Sequence, residues 1–295
     1  MREDLTVVVC TYKRVDLLSE CINSLLTSIK FFGQQVSICI IDNDPSGSAE
    51  ECISKYDNRV KYYYCGEQNI SSARNFGLNL CKTKWLACID DDEIVDEDWL
   101  YELVKLRSTN ANAIIGPVLT EYPVNTPSWV LDSKIFDRKR HYDGAKIKKG
   151  GAGNCLFDMH FIKNNNLSFD LNYGLSGGED SKFFDSMLKS GGLIVWSDKA
   201  IAREPLDLKR IHYKYIFLRA YRGGQTHYKI RIYSDSFVFN LIKLIVKVVE
   251  STLIILISPL CLVIKKSLKV KLLIRFSAAL GQIMGRFFKP VEMYK

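Results

Sequence analysis

Four apolar runs of strand length punctuate the first third of the chain: Leu5 to Cys10, Val36 to Ile41, Val60 to Tyr64 and Trp85 to Ile89. Their nearly unbroken hydrophobicity is that of strands covered on both faces. Between them the period changes to that of a helix. Val15 to Lys30 puts Leu17, Leu18, Cys21, Ile22 and Leu25 on one face, and Ser71 to Leu80 does so less cleanly with Phe76, Leu78 and Leu80. Strand alternating with helix predicts parallel β-α-β units and a doubly wound α/β sheet, in which ligands sit beyond the carboxyl ends of the strands.

Polar residues stand where that rule directs attention. Thr11, Tyr12, Lys13 and Arg14 follow the first strand; Asp42, Asn43 and Asp44 follow the second; Asp90, Asp91, Asp92 and Glu93 follow the fourth. Loop starts are polar in any α/β protein, but four adjacent acids between a buried strand and an amphipathic helix starting at Trp99-Leu100 repel one another unless a cation sits among them. Hard divalent ions such as Mg²⁺ or Mn²⁺ take oxygen ligands, typically one or two carboxylates plus substrate phosphates. Asp90 and Asp92 are therefore expected to frame a metal and a diphosphate, and Asp96 to cap the helix containing Trp99. A second acid pair, Glu179 and Asp180, follows the turn Gly174-Leu175-Ser176-Gly177-Gly178 and opens a helix from Ser181 to Lys189. Acids favour helix starts electrostatically, and glycines directly before them also let a ligand approach a carboxylate closely; the residues alone leave both readings open.

Charge changes the picture at the other end. The 295 residues carry a net +8, but residues 1–235 are neutral, with 31 basic and 31 acidic side chains, and residues 236–295 hold ten basic against two acidic ones. There the cations interleave with Leu, Ile, Val and Phe, which suits an anionic membrane surface and not a phosphate backbone, so nucleic acid is not an expected partner. Leu244 to Ile264 is strongly apolar, but its fully uncharged part, Ser251 to Ile264, is only 14 residues long, shorter than the ~20 that span a bilayer. A single-pass helix and an interfacial hairpin both stay open. Lys265, Lys266, Lys269, Lys271 and Arg275 follow, as a basic amphipathic segment. The nine cysteines include no C-x-x-C pair, and the first residues lack a signal peptide's apolar core, which together suggest a reducing cytoplasm.

Five ordered motifs resemble those of family 2 glycosyltransferases of the GT-A fold: Val7-Val8-Val9-Cys10-Thr11-Tyr12-Lys13-Arg14, Asp42, Ser71-Ser72-Ala73-Arg74-Asn75, Asp90-Asp91-Asp92 and Gly178-Glu179-Asp180. The resemblance spans roughly residues 5–235. With Arg219-Ala220-Tyr221-Arg222-Gly223-Gly224-Gln225 it is most similar to the exopolysaccharide branch, typified by succinoglycan-type glucosyltransferases. It implies a Rossmann-like, mostly parallel sheet flanked by helices as a catalytic domain over 1–235, after which the basic, apolar pattern of 236–295 predicts a helical, membrane-associating appendage. It also implies that Thr11, Tyr12, Arg14, Asp42, Arg74, Asp90 and Asp91 hold the donor nucleotide, with Asp90 at the ribose. Asp92 would ligate the metal, Asp180 would be the catalytic base, and Glu179, Arg219, Arg222 and His227 would contact diphosphate or acceptor.

The activity so implied is inverting, metal-dependent transfer of a sugar from a nucleotide-sugar, UDP-linked, to a hydroxyl of a saccharide acceptor. No covalent sugar-enzyme intermediate forms. The Gln-x-x-Arg-Trp motif of processive synthases is absent, since Thr226-His227-Tyr228-Lys229 follows Gln225, which implies addition of single sugars. A cytoplasmic catalytic domain with a tail at the inner leaflet, peripheral or single-pass, would reach a polyprenyl-diphosphate-linked acceptor. Two other readings stand beside this one. A sugar nucleotidyltransferase would show a Gly-rich basic loop after the first strand, where Thr11 to Arg14 has no glycine; a non-catalytic, membrane-docked sugar-nucleotide-binding scaffold would lack turnover.

Overall fold

A computed structural model of the chain describes residues 4–232, 242, 244–246, 248–249, 252–253 and 265–292. In chain order its elements begin with β1 (Leu5–Thr11), α1 (Val15–Phe32), β2 (Ser37–Asp42), α2 (Glu50–Ile53), β3 (Val60–Tyr64), α3 (Ile70–Leu80) and β4 (Trp85–Asp90). There follow β5 (Ile94–Val95), α4 (Trp99–Lys105), β6 (Ala113–Ile115), β7 (Val118–Glu121), α5 (Ser128–Ser133), β8 (Asn154–Asp158) and α6 (Met159–Asn164). The last are α7 (Glu179–Lys189), β9 (Ile194–Trp196), β10 (Ala202–Pro205), α8 (Tyr213–His227) and α9 (Lys266–Met284). The chain divides into two compact units: Met1–Glu121 with Arg138–Leu175 and Glu179–Pro205, and Tyr122–Asp137 with Ser176–Gly178 and Leu206–Lys295.

The first unit is built on a seven-stranded sheet in the order β3-β2-β1-β4-β8-β6-β9. The predicted β-α-β alternation produces the parallel half, β3 to β4. Beyond it β8 runs antiparallel to both β4 and β6, while β9 is again parallel to β6. The sheet is thus mostly parallel and mixed at one side. A second sheet, β5-β10-β7, was not anticipated; its strands are two to four residues long, too short to show a period.

Successive side chains of a strand point to opposite faces, and the two faces of this sheet have separate cores. Val7 and Val9 of β1 and Ala87 and Ile89 of β4 pack with Leu18, Ile22 and Leu25 of α1. Val8 of β1 and Leu86 and Cys88 of β4 pack with Ala73 and Leu78 of α3 and Phe183 and Phe184 of α7. α1 stops at Gly33, which takes a left-handed backbone (φ 71°) open to glycine at little cost. α3 starts at Asn69, whose side chain accepts from the N–H groups of Ser71 and Ser72.

Asp96 does not cap α4 with its side chain as expected. Its carbonyl accepts from the Trp99 N–H at 3.0 Å, while its carboxylate takes the Arg203 guanidinium at 2.9 and 3.0 Å. A two-pronged charged hydrogen bond outbids a single cap interaction. Trp85, Trp99 and Trp196 are buried, and the eight described cysteines are free thiols.

In the second unit α8 and α9 cross at their glycines. A Cβ at Gly281 would lie 1.9 Å from the Tyr221 carbonyl oxygen, and one at Gly224 would lie 2.1 Å from that of Ala278, so backbone touches backbone. Val130 and Phe136 join Leu206, Ile216 of α8 and Val270 of α9 in a small core. Trp129 stacks on Tyr213 at 5.6 Å with Lys266 over both rings. Among the described residues no helix is long and apolar enough to cross a membrane; most of Leu244 to Ile264 lies outside the described residues.

Candidate active site

The strand register decides which polar groups meet. Cys10 pairs with Asp90 and Thr11 with Asp42, so β1, β2 and β4 end together and their following residues share one sheet edge. The chain turns between β1 and α1 at Lys13, which adopts a left-handed backbone (φ 56°) uncommon for a residue with a side chain. Arg14 then reaches the acidic run. Its Nη1 donates to Asp91 Oδ1 at 3.0 Å and to Asp92 Oδ2 at 2.7 Å. Thr11 Oγ1 donates to Asp91 Oδ2 at 2.8 Å. Asp91 is buried, and burial pushes its carboxyl up to about 6 against the opposing pull of Arg14.

The second knot gathers on α3. Arg74, expected at the nucleotide, has its guanidinium enclosed by three carboxylates. Nη1 donates to Glu179 Oε1 at 2.6 Å and to Asp180 Oδ1 at 2.5 Å, and Nη2 donates to Asp90 Oδ1 at 3.1 Å. The fold therefore joins the acid after β4 to the acid pair that opens α7. Burial pushes Glu179 up to about 7, with Asp180 adding repulsion and Arg74 opposing. Asp180 is raised in the same direction by burial, against Arg74.

Three further groups belong here: Glu93, the last of the four-acid run; Gly153; and Arg138, which the sequence did not mark. Glu93 is 1% exposed, and neither of its carboxylate oxygens has a hydrogen-bond partner; burial holds its carboxyl far above the usual range. Arg138 lies 3.7 Å from Glu93 Oε1 and donates to Glu204 Oε2 at 2.6 Å. Gly153 stands where a Cβ would meet Asp90 Oδ2 at 2.5 Å and Glu93 Oε1 at 3.1 Å, so only a bare backbone fits beside those acids. Glu93 stands in the acid run, but no local pattern marks Arg138, because the 135–153 segment reaches Asp90 only through the antiparallel entry of β8.

At the far side of β1, the Asp42 carboxylate is engaged by the chain itself, accepting from the backbone N–H groups of Asp44 and Ala49 at 2.9 and 2.8 Å and from the Tyr62 hydroxyl at 3.3 Å. Asn43 beside it is buried with an unpartnered Oδ1. Tyr12 is partly buried, with Lys13 Nζ 5.1 Å from its ring centroid. Arg219, Arg222 and His227 fall on α8 in the second unit, where Arg219 lies over the Phe136 ring at 5.8 Å.

Around the edge, three guanidiniums, Arg14, Arg74 and Arg138, face seven carboxylates. The excess is all oxygen, the donor type a hard divalent cation takes. No three His, Cys, Asp or Glu side chains among the described residues converge on one point. A cation at Asp92 would accordingly complete its shell with substrate phosphates, and the residues fit it on those terms.

Residues 6–167 match the family model described as glycosyl transferase family 2. The chain is 32% identical over 228 residues to the succinoglycan biosynthesis protein ExoM of Rhizobium meliloti (strain 1021), covering 76% of this chain and 74% of that protein. S. aureus TarS 1-349, solved in complex with UDP-GlcNAc, superposes with a TM-score of 0.54 at 14% identity, over 74% of this chain and 66% of that one. GalNAc-T7, solved with UDP, GalNAc and Mn²⁺, gives 0.55 at 15% identity, over 72% of this chain and 47% of that one. At such identities the two structures speak for the GT-A-like fold alone.

Proposed function

The chain belongs to glycosyl transferase family 2 and is a glycosyltransferase; from that premise we propose that it moves a single sugar from a UDP-sugar to a hydroxyl of a saccharide acceptor in exopolysaccharide biosynthesis, with inversion at the anomeric carbon. The observation that carries this reading is the joining of Asp90, at the carboxyl end of β4, to Asp180, at the start of α7, by Arg74. One carboxylate stands at the donor edge and the other within one side chain's reach of it.

In the proposed reaction the acceptor oxygen attacks the anomeric carbon from the face opposite the nucleoside diphosphate, and Asp180 takes the hydroxyl proton as that bond forms. The sugar passes through an oxocarbenium-like transition state. Asp90 contacts the ribose, Thr11, Tyr12 and Asp42 flank the base, and Arg14 and Asp91 hold the loop after β4 against the nucleotide. Asp92 would hold a divalent cation, Mg²⁺ or Mn²⁺, which would offset the charge of the departing diphosphate.

For the acceptor, the proposal is a polyprenyl-diphosphate-linked saccharide met at the cytoplasmic face of the membrane. Support comes from the +8 carried by residues 236–295 and from Leu268, Phe287 and Phe288, exposed beside Lys269, Arg286 and Lys289. Flotation with anionic and neutral liposomes tests it; a chain that ignores both refutes the membrane part.

Calorimetric titration of UDP and GDP with and without Mn²⁺, on wild type and Asp92→Asn, tests the donor reading. Mn²⁺-dependent UDP binding that Asp92→Asn removes is the expected result. No nucleotide binding under any metal condition refutes it.

A further inference from the structure

Arg74 is buried, yet it spends its donors on three acids from two distant stretches of chain. Three of its five N–H donors are committed to these acids, so placing them is work the side chain does before any ligand arrives. The guanidinium is also held from below. Its Cζ lies 5.5 Å over the Phe169 ring, and Phe169 stacks on Phe183 of α7 at 4.2 Å with an interplanar angle of 9°. α3 is in turn stapled to the same stretch of chain. The Asn75 side chain exchanges two hydrogen bonds with the Phe169 backbone, at 2.7 and 2.8 Å, and Ser71 Oγ donates to the Asp170 carbonyl at 2.9 Å. The helix carrying Arg74 and the helix carrying Asp180 are thereby tied together by packing as well as by charge.

We propose that Arg74 is the positioning residue of the reaction, holding Asp180 ionised and aimed by tying its Oδ1 to Asp90, so that the other oxygen, Oδ2, receives the acceptor's proton. Asp180 Oδ2 stands free of Arg74 beside Gly151, where a Cβ would come no closer than 3.7 Å. The inference rests on the reading of Asp180 as base and adds what keeps it so. The other groups facing Asp180 are the Ala152 N–H, Arg138 and Cys155 from the β8 side, Asp90 from β4, and Glu179 on its own helix. Asp90 and Glu179 repel its charge, and Arg74 is the only cation among these that touches it. One arginine against three acids leaves room for a proton, which burial draws toward Glu179, pushed up to about 7. Asp180 stays free to accept a second.

The test needs neither donor nor acceptor. In full-length protein labelled with ¹³C at aspartate carboxyls, Asp180 is assigned by loss of its signal in Asp180→Asn and titrated in wild type, Arg74→Met and Arg74→Lys. Arg74→Met is expected to raise the proton affinity of Asp180 at least tenfold, and Arg74→Lys to raise it less. An unchanged Asp180 titration in Arg74→Met overturns the proposal. If the Met variant does not fold, Arg74→Lys decides: an intermediate shift supports the role, and a wild-type titration overturns it. UDP calorimetry on the same samples separates this failure from that of the donor reading, because an unchanged Asp180 titration with weakened UDP binding makes Arg74 a nucleotide contact.

Discussion

Arg14 Nη1 lies 2.7 Å from Asp92 Oδ2, so the carboxylate assigned to the cation already carries a cation of the chain's own. Metal and arginine compete for that charge whenever no diphosphate is present to satisfy both. Removing Arg14 relieves the competition at a partly screened site, an effect on the order of tenfold. Arg14→Leu is therefore expected to bind Mn²⁺ about tenfold more tightly than wild type without nucleotide, as read by the electron paramagnetic resonance of free Mn²⁺. Weaker binding in Arg14→Leu would instead make Arg14 an organiser of the metal site.

Asp180 and Asp92 are expected to fail differently. Asp180→Asn keeps the shape and the hydrogen bond to Arg74 but removes proton acceptance, the loss of which costs about 10²-fold or more in turnover. UDP affinity should stay within about threefold of wild type, since no proton moves in binding. Asp92→Asn should lower both turnover and Mn²⁺-dependent UDP affinity. Steady-state kinetics beside calorimetry checks the pair.

The Glu179 carboxyl, pushed up to about 7 in the fold from an ordinary 4.5, gives stability a defined slope. The folded state binds the extra proton between those values. The contribution is thus fully present below pH 4.5 and is lost as pH rises through 7. Its size is about 3 kcal/mol from the displacement of the carboxyl, less to the extent that Asp180 shares the proton. Urea midpoints should fall between pH 5.5 and 8.0 in wild type and fall less in Glu179→Gln.

The crossing of α8 and α9 leaves no room for side chains. Gly281→Val would drive its Cβ into the Tyr221 carbonyl. Overpacking of this kind costs about 1–3 kcal/mol, and against a backbone the upper end applies. A thermal melt should show the loss, and Gly223→Ala, at a position with open space, should melt like wild type.

The strands that build the site were readable because they are long, buried and separated by helices of clear period. Asp90 stood out because four adjacent acids need a reason, whereas the residues alone left Asp180 open between a helix start and a ligand-facing carboxylate, and only the family resemblance gave it a role. The link between them was not readable, since Arg74 and Asp180 are 106 residues apart and local pattern carries no information about pairing at that range. Asp96 shows the converse: a correct local rule gave the wrong partner, because Arg203, 107 residues away, competed for its carboxylate. Arg138 escaped for the same reason, meeting Glu93 only through the antiparallel return of β8.

On β4, Asp90 inherits the parity of Leu86 and Cys88, whose side chains face α3 and α7, and it meets Arg74 on that side. Inserting or deleting one residue near the start of Trp85–Asp90, unless a bulge absorbs it, would swap the faces of all that follows, sending the acid toward α1 and turning its apolar neighbours with it. Such a lesion cannot yield a well-folded but silent enzyme. Selection for a soluble domain therefore guards the catalytic alignment here without ever testing catalysis, and inactive natural variants of this strand should be substitutions, not indels.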